Sequence, residues 1–503
     1  MCDDFRKLTR YSCCIIKLTR KTMTENELKN IIELVLSIRK GTSEIEVRSN
    51  DDSYEESLFD TFSSFSNTKG GVIIFGIDEK HGYKITGVDN PQELQKKITQ
   101  QSLEMEPVIR PLITVIDYKG KTICSAEIPE MDAFSKPCYY KGKGKSKGAY
   151  TRVGDADLPL TDYELHSFEA FRFKSEDELR TKDRVDYSSL NTILLDGYIS
   201  NLVTKKANLL SVDKNKIMQL EGIIDKNGSP TLCGMMNFGT LPQMFAPNLD
   251  IIAVRCATDN YGEENEDGIR FIDNKRIDGT LSSMLQQALS FIQNNTKKST
   301  FVNPVTGLRE DKTEYPIKAL REIVLNALIH RDYSIYTEND PIRIEIYDDR
   351  IEVSNPGGLY GRLSVDELGS VRSDIRNPYI AGILETLEIT ENRYSGIPTI
   401  YDEMAKAKML PPKFEDDRGT FKVTLFNTKI DDALNEDLVK QILEKCKVPR
   451  SKEYLAKAFG FDEKHPSYFL NTYIKPLIEK GFLKYTLPNK PKSKNQRIVI
   501  AQF

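Results

Sequence analysis

A multidomain chain of mixed α/β and α+β class is what this sequence predicts, and three observations predict it. Its 503 residues exceed what one hydrophobic core organises and suggest two to four domains. Stretches with apolar residues at helical spacing alternate with short β-branched runs bounded by Gly and Pro, the pattern of helices layered on sheets. Hydrophobic content of 39% beside 29% charged residues is ordinary for globular domains. No stretch approaches the roughly 18 apolar residues of a membrane span. Net charge is −4, so any nucleic-acid contact has to come from local basic patches rather than from the chain as a whole. Eight Cys lie scattered without a C-x-x-C pair and four His form no ligand cluster, which predicts reduced thiols and no structural zinc.

In chain order, residues 1–22 carry basic residues but no apolar run long enough for a signal sequence. They are expected to be a disordered extension or an over-called start, and the location cytoplasmic. Residues 23–172 then predict a compact α+β domain. Leu28, Ile31, Ile32, Val35 and Leu36 make the stripe of a helix over 24–39; a second helix follows at 55–66. Gly70-Gly71 opens a buried strand, "VIIFGID", and further strands are expected near 112–118 and 121–128. "KGKGKSKG" at 141–148 predicts a solvated loop. Residues 173–315 read as a mixed connector, with helices near 200–211 and 282–294 and the strand "LDIIAVRC". Residues 316–428 predict a third block: helix, "IRIEIYD", "RIEVSN", a Gly-rich turn, helices and "TFKVTLF". Residues 431–503 read as three helices and two strands flanking "PNKPKSKNQ".

The chemistry concentrates in "REIVLNALIHRDYS", residues 321–334. Glu322 and Asn326 stand one helical turn apart and share a face. An amide oxygen can ligate Mg²⁺, and a neighbouring carboxylate can orient or deprotonate a water that attacks a phosphoryl group. Taken alone, the pair also suits a helix whose polar face meets solvent. Downstream lie Asn355-Pro-Gly-Gly-Leu359, a turn that lets backbone approach a ligand closely, and Gly396.

The ordered set "YPIKALREIVLNALIHRDYS", "DDRIEVSNPGGL", "RNPYIAGIL" and "PPKFEDDRGTFKVTLF" resembles the GHKL-type ATP-binding domain of RecG-related, Schlafen-domain proteins, over about residues 220–428. The resemblance implies a GHKL-like α/β sandwich that binds ATP with Mg²⁺. It implies Glu322 as the base of an ATPase and Asn326 as the Mg²⁺ ligand. Asn355 and Gly357, with Gly358, would lie at the adenine pocket, and Gly396 in the phosphate-contacting turn. Two departures favour binding over hydrolysis. Asn355 stands where the family usually has Asp, and Tyr394-Ser395 precede Gly396 where a second Gly is more usual.

"TSEIEVRSN", "LFDTFSSFSNTKGGVIIFGIDEKHGYKITGVDN", "KPCYYKG" and "YTRVGD" resemble the Schlafen AlbA-type domain, a DNA-binding α+β module here covering about 27–172. Some such domains are metal-dependent ribonucleases using three carboxylates. Glu46 and Asp78 match two of them, with Glu44 a substitute for the first; a pair of solvated strand-edge acids is the alternative. Asn67, Gly70 and Gly71 read as a helix cap and a tight turn. Lys141, Lys143, Lys145, Lys147 and Arg152, with Lys136, form a basic cluster suited to phosphates, and Tyr139, Tyr140 and Tyr150 could stack on bases. A flexible surface hairpin is the alternative. The C-terminal piece resembles a winged helix-turn-helix, with Lys490, Lys492, Lys494 and Arg497 in the wing. Such modules also serve as dimerisation or protein-contact units.

The function expected is an ATP-binding, DNA-associated regulator, of transcription, whose nucleotide state alters nucleic-acid binding. It would act as a homodimer on DNA, or RNA, and without a membrane. A metal-dependent nuclease gated by the ATP site and an interaction scaffold with a degenerate ATP fold are the competing classes. No G-x-x-x-x-G-K-[ST] pattern is present, so a helicase motor is not expected.

Overall fold

The computed structural model describes residues 23–49, 58–302, 309–362, 364–369, 371, 374–390, 396–417, 419–428, 436–459, 461, 469–479, 482–486 and 496–501. The expectations for residues 1–22, for the start of the 55–66 helix, for Tyr394-Ser395 and for Lys490, Lys492 and Lys494 lie outside these residues. The chain divides into two compact units, 1–175 and 176–503.

In the first unit, helix α1 (Glu25–Ile38) starts on a reciprocal capping box between Thr24 and Glu27. Strand β1 (Ile45–Arg48), helix α2 (Phe59–Asn67) and strand β2 (Gly71–Phe75) follow. Helix α3 (Pro91–Leu103) leads to the hairpin β3 (Leu112–Tyr118) and β4 (Lys121–Ile128). These strands make one sheet in the order β1-β2-β4-β3, parallel at β1/β2 and antiparallel elsewhere. Every residue of β2 is buried because helices cover both faces. Val72 and Ile74 pack with Leu28, Ile31, Ile32 and Val35 of α1. Ile73 and Phe75 pack with Phe62, Phe65, Leu94 and Ile98 of α2 and α3. Two-sided burial explains the continuous apolar run that marks this strand in the sequence. A second hairpin, β5 (Tyr150–Val153) and β6 (Ala156–Pro159), crosses α2, and helix α4 (Asp162–Phe173) closes the unit.

In the second unit, helix α5 (Thr192–Lys205) continues as a 3₁₀ turn over Ala207–Ser211. The helix expected near 200–211 therefore begins earlier, where Asn191 caps the Ile193 and Leu194 amides. Strands β7 (Ile251–Cys256) and β8 (Phe271–Ile277), helix α6 (Leu281–Asn294) and helix α7 (Ile317–His330) come next. Strands β9 (Ile342–Ile346) and β10 (Arg350–Pro356) precede helices α8 (Pro378–Thr386) and α9 (Gly396–Lys406). The hairpin β11 (Lys413–Asp417) and β12 (Thr420–Phe426) completes a six-stranded sheet, ordered β8-β7-β9-β10-β12-β11. Here the expectation of a connector over 173–315 is corrected. β7 pairs in parallel with β9, and β8 forms the edge beside it. Ile251 and Ala253 join the same core as Ile344, Ile351 and Val353, with α6 and α7 laid over it. The stretch supplies a third of the sheet and is part of the domain.

Beyond β12, helices α10 (Glu436–Lys445) and α11 (Lys452–Ala458), a helical stretch over 469–479, and the antiparallel pair β13 (Leu483–Tyr485) and β14 (Ile498–Ile500) enclose a small separate core. Cys124, Cys138, Cys233, Cys256 and Cys446 are free and buried, in keeping with reduced thiols. No helix among the described residues is long and apolar enough to cross a membrane.

Candidate functional site

α7 buries Ile323, Val324, Ala327 and Leu328 against the sheet and leaves Glu322 and Asn326 half-buried on its other side. Gly396, the first residue of α9, lies directly against them. A Cβ built on Gly396 would stand 3.0 Å from Glu322 Oε2 and 3.2 Å from Asn326 Nδ2. The structure therefore joins three residues that span 75 positions of sequence. Glycine is needed there because any side chain would fill the space in front of the carboxylate and the amide.

A second group forms at the exit of β10. Asn355 is buried, and its Oδ1 has no hydrogen-bond partner among the described residues. Gly357 follows with φ +102°. A Cβ on Gly358 would lie 2.6 Å from Asp416 Oδ1, and the Leu359 amide donates to Asp416 Oδ2 at 3.2 Å. The two groups meet through the end of α7. The Asp332 amide donates to the Pro356 carbonyl at 3.0 Å, and α7 packs on β10. The Asn377 side-chain amide donates to the Ile329 and Arg331 carbonyls, both at 2.7 Å, which satisfies orphan carbonyls at the helix end.

The charged triplet that ends α7 is mostly internal. Arg331 is fully buried and donates to the carbonyls of Thr337 (3.0 Å) and Asp340 (2.6 Å), pinning the following loop. Asp332 accepts from the Ser334 amide at 2.8 Å. Burial, and next the Arg376 charge, push the His330 imidazole down to about 4, so it is neutral at pH 7. Immediately after the unit boundary, Glu178 accepts from the Tyr379 (3.0 Å) and Ile380 (2.8 Å) amides at the start of α8. Arg180 donates to the Tyr333 carbonyl, and Lys182 pairs with Glu338. Sequence reasoning missed Arg376, Asn377, Asp416 and Glu178. Asn377-Pro378 does carry the signal of a helix start; nothing local announces the others.

In the first unit the carboxylates are organised differently from the expectation. Glu46 does not pair with Asp78. It accepts from Arg152 Nη1 at 2.9 Å and Arg48 Nε at 2.9 Å, and the Thr61 hydroxyl oxygen lies 3.2 Å away. The same Arg152 Nη1 donates to Asp157 at 2.7 Å, and Thr61 and Ser64 also donate to Asp157. Asp78 instead binds His81, whose hydrogen bond holds the carboxyl below its usual range. Among the described residues no three His, Cys, Asp or Glu come together as a metal-holding group. The solvated strand-edge pair is corrected as well, because Glu46 and Asp78 are each only 16% exposed. A cavity of about 300 Å³ opens here, lined by Glu46, Arg48, Glu79, Lys80, Arg152 and Asp157 among others.

Arg152 is thereby corrected from a surface cation to a buried one, its side chain 3% exposed between two carboxylates. Lys141, Lys143 and Lys145 do lie on the surface, each near an acid: Glu106 at 3.6 Å, Asp60 at 3.3 Å and Glu169 at 2.5 Å. Lys147 is exposed. Lys136 is buried on Glu130 and the Thr68 carbonyl. The expected open loop is folded: Lys145–Gly148 forms a helical turn, with Gly148 buried against Tyr140. Tyr140 stacks on Phe59 with centroids 3.7 Å apart, which occupies one ring face. Asn67 is no helix cap. Its side chain accepts from the Cys138 amide and donates to the Cys138 and Tyr150 carbonyls, stitching α2 to β5. In the C-terminal module, Arg497 is half-buried and donates to the Gln496 carbonyl.

Comparison with known proteins fits this geometry. Residues 42–161 match the family model "Schlafen, AlbA_2", residues 339–425 match "Putative ATP-dependent DNA helicase recG C-terminal", a HATPase-type domain, and residues 436–500 match "Filamentation induced by cAMP protein Fic-like, C-terminal domain". The chain is thus a mixed α/β multidomain protein carrying an AlbA_2 domain and a HATPase-like domain. Among solved structures, the DIP2311 protein from Corynebacterium diphtheriae aligns over 95% of this chain and 94% of its own, at 15% identity and TM-score 0.41. The N-terminal domain of a "Putative ATP-dependent DNA Helicase RecG-related Protein" from Nitrosomonas europaea aligns over 26% of this chain and 92% of its own, at 25% identity and TM-score 0.22. No curated protein gives a significant match.

Proposed function

We propose that this chain is an ATP-binding, DNA-associated regulator, acting in transcription, in which nucleotide occupancy of the second unit alters DNA engagement. One observation carries the proposal: Gly396 places the start of α9 against Glu322 and Asn326, while the far part of α9 packs on the C-terminal module. Ile400 and Met404 face the main core, and Tyr401 and Ala405 pack against the cluster of Ile442, Leu455 and Phe469. A group that enters between α7 and Gly396 therefore presses on the helix that carries the 436–500 module. Three helical segments followed by a hairpin suit a winged helix-turn-helix, which would put a helix in the major groove and Arg497 beside the backbone.

The residues fit the nucleotide. The bare backbone of Gly396 beside Glu322 and Asn326 suits a turn that contacts phosphate, Asn326 supplies a hard amide oxygen for Mg²⁺, and the Oδ1 of Asn355, without a partner among the described residues, can accept a hydrogen bond from an adenine amino group. The metal, when bound, neutralises charge on the phosphates. Glu322 is placed to hold or accept a proton from a water on the phosphate side, while the turn through Gly357 and Gly358 forms the base side. Pairing of two copies would match a palindromic DNA site.

Calorimetry with Mg·ATP on the wild type and on Asn326→Ala tests the site. The substitution should weaken Mg·ATP at least tenfold, with a smaller effect when Mg²⁺ is omitted. Wild-type protein that takes up no ATP would overturn the proposal.

A further inference from the structure

Arg376 has no counterpart among the residues assigned above, yet it touches every segment around the turn that leaves β10. Its side chain is 8% exposed. Nη2 donates to the Gly358 carbonyl at 2.8 Å, and the guanidinium lies over the Tyr360 ring, 5.2 Å from its centroid. Nη1 is 3.5 Å from an Asp332 carboxylate oxygen, and it is buried with no hydrogen-bond partner among the described residues. A Cβ built on Gly357 would stand 2.1 Å from Nη1 and 2.7 Å from the Asp332 Cβ. Gly357 is thus glycine for two reasons: its φ of +102°, and a guanidinium occupying the place of its side chain. The next residue, Asn377, clamps the end of α7. The pair 376–377 therefore joins the helix bearing Glu322 and Asn326 to the turn bearing Gly357 and Gly358.

We propose that Arg376 is the positioning residue of the base side of the nucleotide site, holding the Asn355–Gly358 turn at a fixed distance from α7 through Gly358, Tyr360 and Asp332. This rests on the nucleotide assignment made above. Planarity matters as much as charge. A guanidinium can donate to a carbonyl, lie flat on a ring and face a carboxylate at once, and an ammonium cannot. The contacts of Arg376 among the described residues, to Gly358, Tyr360 and Asp332, all lie on the base side, away from Asn326 and Gly396, so the two ends of the nucleotide should respond differently when Arg376 changes.

The test uses the full chain with Arg376→Ala and Arg376→Lys, and two probes with Mg²⁺: ATP, and inorganic tripolyphosphate, which lacks the base and sugar. Folding is checked by the thermal transition. Arg376→Ala should weaken ATP at least tenfold and leave tripolyphosphate within about twofold of wild type. Arg376→Lys, which keeps the charge and occupies much of the volume, should fall between them for ATP and match wild type for tripolyphosphate. Equal weakening of both probes would overturn the positioning role, since general loosening of the domain affects both. A folded variant that binds ATP like the wild type would also overturn it. Should Arg376→Ala not fold, Arg376→Lys decides alone by the same ratio. Wild-type protein that takes up neither probe would instead refute the nucleotide assignment, an outcome separate from any behaviour of the variants.

Discussion

Two titratable groups in the second unit have opposite pH signatures. Burial pushes Glu178 up to about 7, against the Ile380 and Tyr379 amides that favour its charged form. Unfolded, a Glu titrates near 4.5, so between these values the folded chain holds a proton that the unfolded chain has released. Stability from this group is present at acid pH and is lost as pH rises through 7. His330 runs the other way: folded at about 4, unfolded near 6.5, it costs stability as pH falls from 6.5 towards 4. From pH 6.5 down to 4.5 the two slopes oppose each other, each at most about 1.4 kcal/mol per pH unit. Glu178→Gln removes one of them. Urea midpoints measured across this range should fall with acidification in the variant and stay flatter in the wild type. Parallel profiles would contradict the assignment.

Among the helices, α9 has the most to explain. It is 11 residues long and amphipathic on two faces: Ile400 and Met404 turn towards the sheet, Tyr401 and Ala405 towards the C-terminal module. A rigid helix transmits displacement along its axis better than a loop, because its hydrogen-bonded turns do not absorb the motion. Tyr401→Ala trims the contact shared by both cores without touching Glu322, Asn326 or Gly396. Its affinity for ATP should stay within about threefold of wild type, while the change in DNA affinity on adding ATP, read by fluorescence anisotropy, should disappear. An ATP effect of wild-type size in this variant would remove α9 from the coupling.

For the chain as a whole, net charge of −4 means that DNA binding depends on where cations stand. Lys141, Lys143 and Lys145 sit in exposed pairs worth about 0–1 kcal/mol each, which a phosphate can replace, and Lys147 is exposed. Changing all four to Gln should reduce the slope of log K against log salt by up to about 3.6 for duplex DNA and leave stability nearly unaltered. Arg152→Ala should behave in the opposite manner. It removes the cation that Glu46 and Asp157 share, leaving Glu46 on Arg48 and Asp157 on the Thr61 and Ser64 hydroxyls, and breaking a buried pair costs up to about 3–5 kcal/mol. Its signature is a lower thermal transition with the salt slope retained. Salt titrations paired with thermal melts separate the two classes.

Local chemistry announced much of this protein. The α1 stripe, the buried "VIIFGID" strand and the 112–128 hairpin could be read in order because periodicity and turn residues act over neighbouring positions. Glu322 and Asn326 were legible as one face for the same reason: four residues make about one turn. What could not be read is who meets whom across long separations. Gly396 comes to α7 from 70 residues away, and the hairpin that pairs Arg152 with Asp157 brings Arg152 to Glu46, 106 residues earlier. β7, whose stretch reads as a connector, pairs beside β9, a partnership 91 residues apart. Charge misled in the same way. Arg152 looks like a surface cation in a string of letters, and only packing shows it sealed inside, its charge answered by carboxylates. Sequence pattern sets which face an element hides; which element it hides against depends on the summed burial of the whole core, and no window of neighbouring residues contains that sum.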